Sequence, residues 1–416
     1  MYGLSLEQAP PYKVPLFYYM TGVVYLLLFS IALLVFGLKI DNRFYYEAIA
    51  ITHILTLGFF THIMFGTLFQ MVPVIIGVAY AKVESQAKMI LLFLNLGTLS
   101  FIISLLTSVK IFMHFAMLFL GLSVIYFTLY SIITIIKTKD KNPTVRTFIT
   151  ALAFLAIGAV FGILALLQLG GISSTMKFGD LHLSIMIFGW VFMLFSGVAY
   201  KILPMFYVAR EYPLFIKNYF YIIISLSLVS YYFSMIYAFD VGMTISKIVL
   251  ASVAFVFAVT TIRILKNRKR ARSDITVKFF YFANTNLALG SLLWIVCILF
   301  GLELDFLLSM TIGLGFIYGL INGMLYKIVP FLTWFHLSSK SVFDAEMSEV
   351  IKIKWMKIQF YIFMLSFAFF ILALVYRPFV FVAAILFFIS STLLLYNIVS
   401  GYLYHSKMIK KAVVYG

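Results

Sequence analysis

The chain has 416 residues, 64% of them hydrophobic and 11% charged, with a mean hydropathy of +1.10. So few polar side chains cannot cover so much apolar surface, which excludes a water-soluble globular protein and calls for a lipid bilayer as solvent. A net charge of +17 raises the question of an anionic partner such as nucleic acid, which the placement of the charges answers.

With about 20 apolar residues needed per crossing, the sequence predicts twelve spans, at roughly 15–38, 48–77, 90–106, 111–136, 147–169, 183–208, 218–238, 243–265, 279–300, 306–332, 358–376 and 378–402. The polar start MYGLSLEQAPPYK does not read as a cleavable signal, because its few charges precede a full-length span. No linker or low-complexity segment interrupts the chain, so residues 1–416 are read as a single membrane domain. The longest non-apolar stretch, 336–357, is expected to be a cytoplasmic loop whose piece FDAEMSEVIKIKWMK lies along the headgroups.

Lysine and arginine fall in alternate loops. Lys82 and Lys88 follow span two, Lys137, Lys139, Lys141 and Arg146 span four, and Arg210 and Lys217 span six. A dense run from Lys266 to Lys278 follows span eight, and Lys340, Lys352, Lys354 and Lys357 follow span ten. By the positive-inside rule both termini are cytoplasmic, in an orientation suited to a bacterial inner membrane. This placement leaves no excess of charge that needs nucleic acid, and the bilayer is the expected partner. The only cysteine, Cys297, sits inside a span, which excludes a disulfide framework or a cysteine-ligated metal site.

Three stretches resemble one another without a gap: 51–73, 182–204 and 308–330. Each has a glycine (Gly58, Gly189, Gly315), a second eight residues later (Gly66, Gly197, Gly323), an aromatic (Phe69, Tyr200, Tyr326) and a closing proline (Pro73, Pro204, Pro330). On a straight helix the two glycines and the aromatic fall within about 80° of one another, a smooth stripe suited to close packing in lipid. The pattern predicts an internal threefold repeat of four spans each, 15–136, 147–265 and 279–402, with the signature on the second span of every unit. Gln70, Lys201 and Lys327 share one position near the inner boundary, where a lysine can snorkel.

Six histidines are the candidates for chemistry. His336 and His405 lie beyond the inner ends of spans ten and twelve and read as solvated loop residues. His53, His114 and His182 each fall in the first turns of an outside-to-inside span, at one depth in the outer third of the bilayer. His62, nine residues after His53, falls on the opposite face of a straight helix. Any one of these could simply bond a neighbouring carbonyl at a helix end. Three at one depth, in a medium where ionisable groups are rare, are candidate ligands, since imidazole ligates both haem and copper.

Twelve spans, cytoplasmic termini, a threefold repeat and these histidines resemble the catalytic subunit of the haem-copper oxidases, including the cbb3-type oxidases and nitric oxide reductases. The segment THILTLGF around His53 is similar to that family's second-helix low-spin haem site, and His182 in DLHLSIMIFGWVF matches the position of its sixth-helix copper ligand. The resemblance implies an all-α fold of twelve helices, b-type haem, copper as a second metal, and a cytochrome or quinone as redox partner. The expected cofactor residues are then His53, His182, His114 and His62, with the first three as metal ligands. Span seven lacks the family's copper-binding histidine pair and the predicted span ten has no histidine, so a complete oxygen-reducing centre is not expected. The chain is more similar to the small divergent members that contain haem and copper and are linked to nitric oxide response. Two functions follow: a haem protein handling electrons or nitric oxide, or a cofactor-free transporter or assembly subunit on the same scaffold. The near absence of ionisable groups at the midplane favours the first.

Overall fold

A computed structural model describes residues 6–40, 42–169, 177–269 and 274–415, so Arg270 and Arg272 of the basic run lie outside the described residues. Among those described the chain is helical throughout, with no strand and twelve helices long and apolar enough to cross a membrane. They are α1 (Lys13–Lys39), α2 (Tyr46–Ile76), α3 (Val83–Thr107), α4 (Lys110–Ile135), α5 (Pro143–Leu169) and α6 (Phe178–Tyr207), then α7 (Leu214–Ile236), α8 (Asp240–Lys266), α9 (Ile275–Phe300), α10 (Asp305–Ser338), α11 (Ile353–Leu372) and α12 (Phe379–Ala412). The protein is an integral membrane protein.

Several helices outrun their apolar cores. α3 begins at Val83 and α12 carries on past Lys407, because lysine is a good helix former and helix propensity does not stop where hydropathy does. The same extension corrects the reading of 336–357. α10 runs on to Ser338, the amphipathic piece forms only the short helix Met347–Val350, and α11 starts at Ile353. Val350 and Ile351 are buried, so this segment folds back on the bundle instead of lying along headgroups.

Neighbour relations recur along the chain. α1 packs on α2 and α3, α2 on α3, and α3 on α4; α5 to α8 and α9 to α12 repeat these pairings. α4 also packs on α5, α8 on α9 and α12 on α1, which closes the helices into a ring. α2, α6 and α10 are the most buried, at 72%, 61% and 56% of their apolar windows against 50% or less for the rest. They meet through Phe65 and Trp190, Phe59 and Tyr318, and Phe195 and Phe316, with ring centres 5.8–6.4 Å apart. Beside these rings the three helices line a cavity of about 40 Å³, with Met64, Thr67, Leu194, Val198, Ile321 and Met324 among its walls.

The signature glycines of each central helix receive side chains of the helix before it. A Cβ on Gly58 or Gly66 would lie 2.5–2.6 Å from Tyr25 and Tyr18 of α1, and one on Gly189 or Gly197 2.7–2.8 Å from Phe154 and Phe148 of α5. On Gly315 or Gly323 it would lie 2.5–2.7 Å from Asn286 and Phe279 of α9. None of the central helices is a straight α-helix. Each is π-helical across its first glycine, at Ile54–Thr61, Ile185–Phe192 and Ser309–Tyr318, and every one of these stretches ends twelve residues before the proline.

The two ends of the bundle are fixed by polar contacts. At the end where α2, α6 and α10 begin, Arg43 reaches Asp180 at 3.3 Å and Asp305 at 3.5 Å. We call this the far face. At the opposite, terminal face the Tyr12 hydroxyl bonds the Thr333 hydroxyl at 2.9 Å, and the Tyr12 ring contacts His336 of α10 and His405 of α12.

Candidate histidine pair at the far face

Of the four candidate histidines, the structure brings together His53 and His182. Their rings are 6.3 Å apart between centres and inclined by only 17°. His53 is the last α-helical residue of α2 before its π-helical stretch, and His182 lies three residues before that of α6. Such widened turns recur at functional sites because they free backbone carbonyls and re-aim side chains.

Each ring is held by one nitrogen. His53 Nδ1 is 2.8 Å from the Ile49 carbonyl, and His182 Nδ1 is 2.8 Å from the Gly158 carbonyl of α5. A carbonyl only accepts, so Nδ1 carries the proton in both and Nε2 keeps its lone pair, the form of a ligating imidazole. The carbonyl bond expected of an ordinary structural histidine is therefore present, and it occupies one nitrogen only. Both side chains are half-buried. The His53 ring meets Phe101 of α3 nearly at right angles, with ring centres 4.9 Å apart, within an apolar cluster that includes Ala50, Leu105 and Leu166.

The remaining histidines go elsewhere. His114 is exposed on the flank of α4, its Nδ1 3.0 Å from the Lys110 carbonyl of its own helix. Shared depth did not bring it to the pair, because α4 turns that side out of the bundle. His62 is buried against Tyr25 and Tyr18 of α1, away from the far-face pair, with Nδ1 bonded to the Leu57 carbonyl at 2.9 Å and Nε2 without a hydrogen-bond partner. His336 and His405 correct the sequence reading. They are helical, half-buried, and packed on Tyr12, with both Nε2 atoms buried and unbonded. α10 thus does carry a histidine, at the terminal face.

At the position shared by Gln70, Lys201 and Lys327 the three residues diverge. Lys201 is exposed, Lys327 pairs with Asp274 at the start of α9, and Gln70 is buried with neither amide atom bonded.

Two polar features escaped the sequence reading. Gly158 and Gly162 of α5 form a seat for α6: a Cβ on Gly162 would lie 3.0 Å from His182 Nδ1 and Cε1, and one on Gly158 2.5 Å from Met186 Sδ. Their Gly-x-x-x-Gly spacing was the available signal. Farther in, Tyr318, Asn322 and Tyr326 of α10 join Gln359, Ser390 and Asn397 of α11 and α12 through buried hydrogen bonds of 2.8–3.4 Å. No titratable group but tyrosine takes part, so a search for charge passes over it.

Among the described residues no group of three His, Cys, Asp or Glu side chains comes together as a metal site. No family model matches the chain, and no curated protein is significantly similar to it. What the far-face pair does must be argued from its geometry.

Proposed function

We propose that the protein is a haem-binding integral membrane protein of electron transfer or of nitric oxide or oxygen-related redox chemistry, short of a complete terminal oxidase, with haem b held between His53 and His182. The observation that carries this is that two half-buried imidazoles from different central helices lie close together, each held at Nδ1 by a carbonyl. An ion bound by two imidazoles sits about 2.0–2.1 Å from a lone-pair nitrogen of each, so the two rings have to lie close together. The observed separation is 6.3 Å. What supports the reading is two lone pairs, each on a ring fixed by a carbonyl at its other nitrogen, beside apolar side chains. Haem bound there supplies one-electron exchange, and the chain's part is to hold both imidazoles in the ligating tautomer and to keep polar groups away.

In this reading the twelve helices are three pseudo-repeats of four on a haem-copper oxidase-like scaffold, with α2, α6 and α10 about a common axis. Supporting it are the recurrent helix neighbours, the common position of the π-helical stretches and the seats of all six signature glycines. In this reading, which follows the positive-inside rule, the terminal face is cytoplasmic and the haem lies in the outer half, where a cytochrome or a quinone can reach it. A copper ion beside the haem is not part of the proposal, because its ligands would have to come from outside the pair. The competing function, a transporter or assembly subunit without cofactor, needs no such ring geometry.

Optical and metal analysis of protein expressed with ample haem and copper tests the proposal. A Soret band with about one haem per chain is expected. Well-folded protein without haem would refute it, and copper without haem would reassign the pair to a two-coordinate copper site.

A further inference from the structure

We infer that the outer side of α9 and α11 at the terminal face is a binding site for an anionic phospholipid. Its phosphate is held by Lys278, Lys357 and the Tyr361 hydroxyl, and its acyl chains run along the exposed apolar side chains beyond them. The site stands whatever the far-face histidine pair holds.

Helix register assembles it. Residues three and four apart share a face of an α-helix, so Lys354, Lys357 and Tyr361 line one side of α11 from its first turn onward. All three are exposed, and the same side continues away from the terminal face through exposed Leu365 and Leu372. α9 packs beside α11 through Phe279 against Phe360, with ring centres 4.7 Å apart. Lys278, the residue before Phe279, is exposed, and its ammonium donates to the Tyr361 hydroxyl at 2.9 Å. Lys357, one turn earlier on α11, adds its charge at the same hydroxyl. Farther along α9 the exposed side carries Leu289, Leu292 and Val296.

The chemistry of this cluster selects its ligand. An ammonium only donates, and the Tyr361 oxygen, having accepted from Lys278, still has its own proton to give. No carboxylate pairs with Lys278, Lys354 or Lys357 among the described residues, and Asp274, one turn before Lys278, is taken by Lys327. At the far face, by contrast, Lys39 and Arg43 find Glu47, Asp180 and Asp305. Nor do the lysines serve their helices, because Lys278 and Lys354 lie in first turns, where the helix dipole favours an anion and disfavours a cation. Donors without an acceptor, at the end of two exposed apolar ridges, suit a phosphodiester that carries acyl chains. A choline headgroup would bring its own cation up to the lysines, so the preferred lipid has net negative charge.

The test uses purified full-length protein in detergent micelles containing equal phosphatidylglycerol and phosphatidylcholine, and reads the ratio of the two lipids retained after gel filtration. Wild type should hold phosphatidylglycerol over phosphatidylcholine by about tenfold or more; Lys278→Gln and Lys357→Gln should each lower that ratio about fivefold, the equivalent of roughly 1 kcal/mol per lysine. Tyr361→Phe should lower it less. Lys137→Gln combined with Lys139→Gln, two exposed lysines after α4 at the same face, should leave it unchanged. Wild type that retains both lipids alike overturns the inference, and so does a loop variant that loses as much preference as the site variants, since the charge of the whole face would then be the cause. Inorganic phosphate that displaced the lipid would overturn it too, by making this a site for the free ion. Lys357→Gln and Tyr361→Phe act on α11 alone, so a Lys278→Gln protein that fails to fold does not protect the inference.

Discussion

Two histidine pairs stand at opposite ends of one bundle, each joining two helices, and they are held in opposite ways. At the far face the backbone takes one nitrogen of each ring, the rings lie parallel 6.3 Å apart, and the second nitrogens keep their lone pairs. At the terminal face an aromatic ring takes that place: Tyr12 stacks on His405 at 4.2 Å and 14° and meets His336 edge-on at 5.6 Å. The Nε2 atoms there are buried and unbonded, enclosed by packing. The difference lies in what is fixed. A carbonyl bond orients an imidazole and raises its basicity while sparing the opposite nitrogen, whereas stacking holds the ring by its face and leaves both nitrogens to the surrounding side chains. In the proposed reading the first arrangement prepares a ligand, whereas the second joins the chain's start to α10 and α12.

The largest expected effect follows directly. His53→Ala should lose the haem outright or most of it, and His182→Ala should change its spectrum. His336→Ala and His405→Ala should leave both haem content and Soret position as in wild type. Haem content per folded chain decides the matter. Loss of haem from the terminal-face variants with retention in His53→Ala would invert the comparison.

Next in size is the packing between the two pairs. Gly66→Leu, Gly197→Leu and Gly323→Leu each place a branched side chain where even a Cβ comes within 2.6–2.8 Å of Tyr18, Phe148 or Phe279. Overpacking of this kind should cost about 1–3 kcal/mol, read as a lower melting temperature in detergent. The spectrum of whatever folds should be unchanged, because these contacts lie toward the terminal face from His53 and His182. Equal stability in all three variants would remove the glycine stripes from the account of packing.

These residues also show what the sequence discloses and what it hides. The stripes were legible because hydropathy and glycine spacing are local properties, and twelve spans follow from length and apolarity alone. Helix ends were not legible where α3, α10 and α12 run on beyond their apolar cores, α12 through Lys407, Lys410 and Lys411. Depth was legible, so His53, His114 and His182 could be grouped, but the direction in which each faces depends on how its helix is turned in the bundle. The π-helical stretches decide part of that, and no residue type announces them. His114, on the regular helix α4, left the group because that helix turns it outward. His336 and His405 passed for loop residues because nothing nearby in the sequence shows that Tyr12 lies between them.

The terminal-face pair yields a smaller effect. Tyr12→Phe keeps the ring on His405 and His336 but loses the 2.9 Å bond to Thr333, a buried hydrogen bond worth about 1 kcal/mol net. Tyr12→Leu also loses the aromatic contacts, worth about 0.5–1.5 kcal/mol per pair. Melting temperature should therefore fall in that order while the haem spectrum stays fixed. A spectral change in either variant would show that the two ends of the bundle are coupled.

The smallest effect concerns charge at the same face. Asp274 precedes α9, where its carboxylate accepts from the amides of Thr276 and Val277 and pairs with Lys327 of α10. Burial disfavours its charged form, yet the Lys327 ammonium, the Thr276 hydroxyl and the Val277 amide outweigh that and hold the carboxyl below the usual carboxylate range. A group with a lowered folded value stabilises the protein above its unfolded value, and that stability is lost as pH falls through the folded one. Asn caps a helix about as well as Asp, so Asp274→Asn removes the ion pair and spares the cap. With the Asp274 side chain 34% exposed, solvent screening holds the difference to less than about 1 kcal/mol. Wild type should melt slightly above Asp274→Asn at about pH 6, with the gap closing toward about pH 3 as the wild-type carboxylate is protonated. A gap that widened with acid would mean that Asp274 is easier to protonate in the folded protein than in the unfolded chain, and that burial, not Lys327, governs this corner of the bundle.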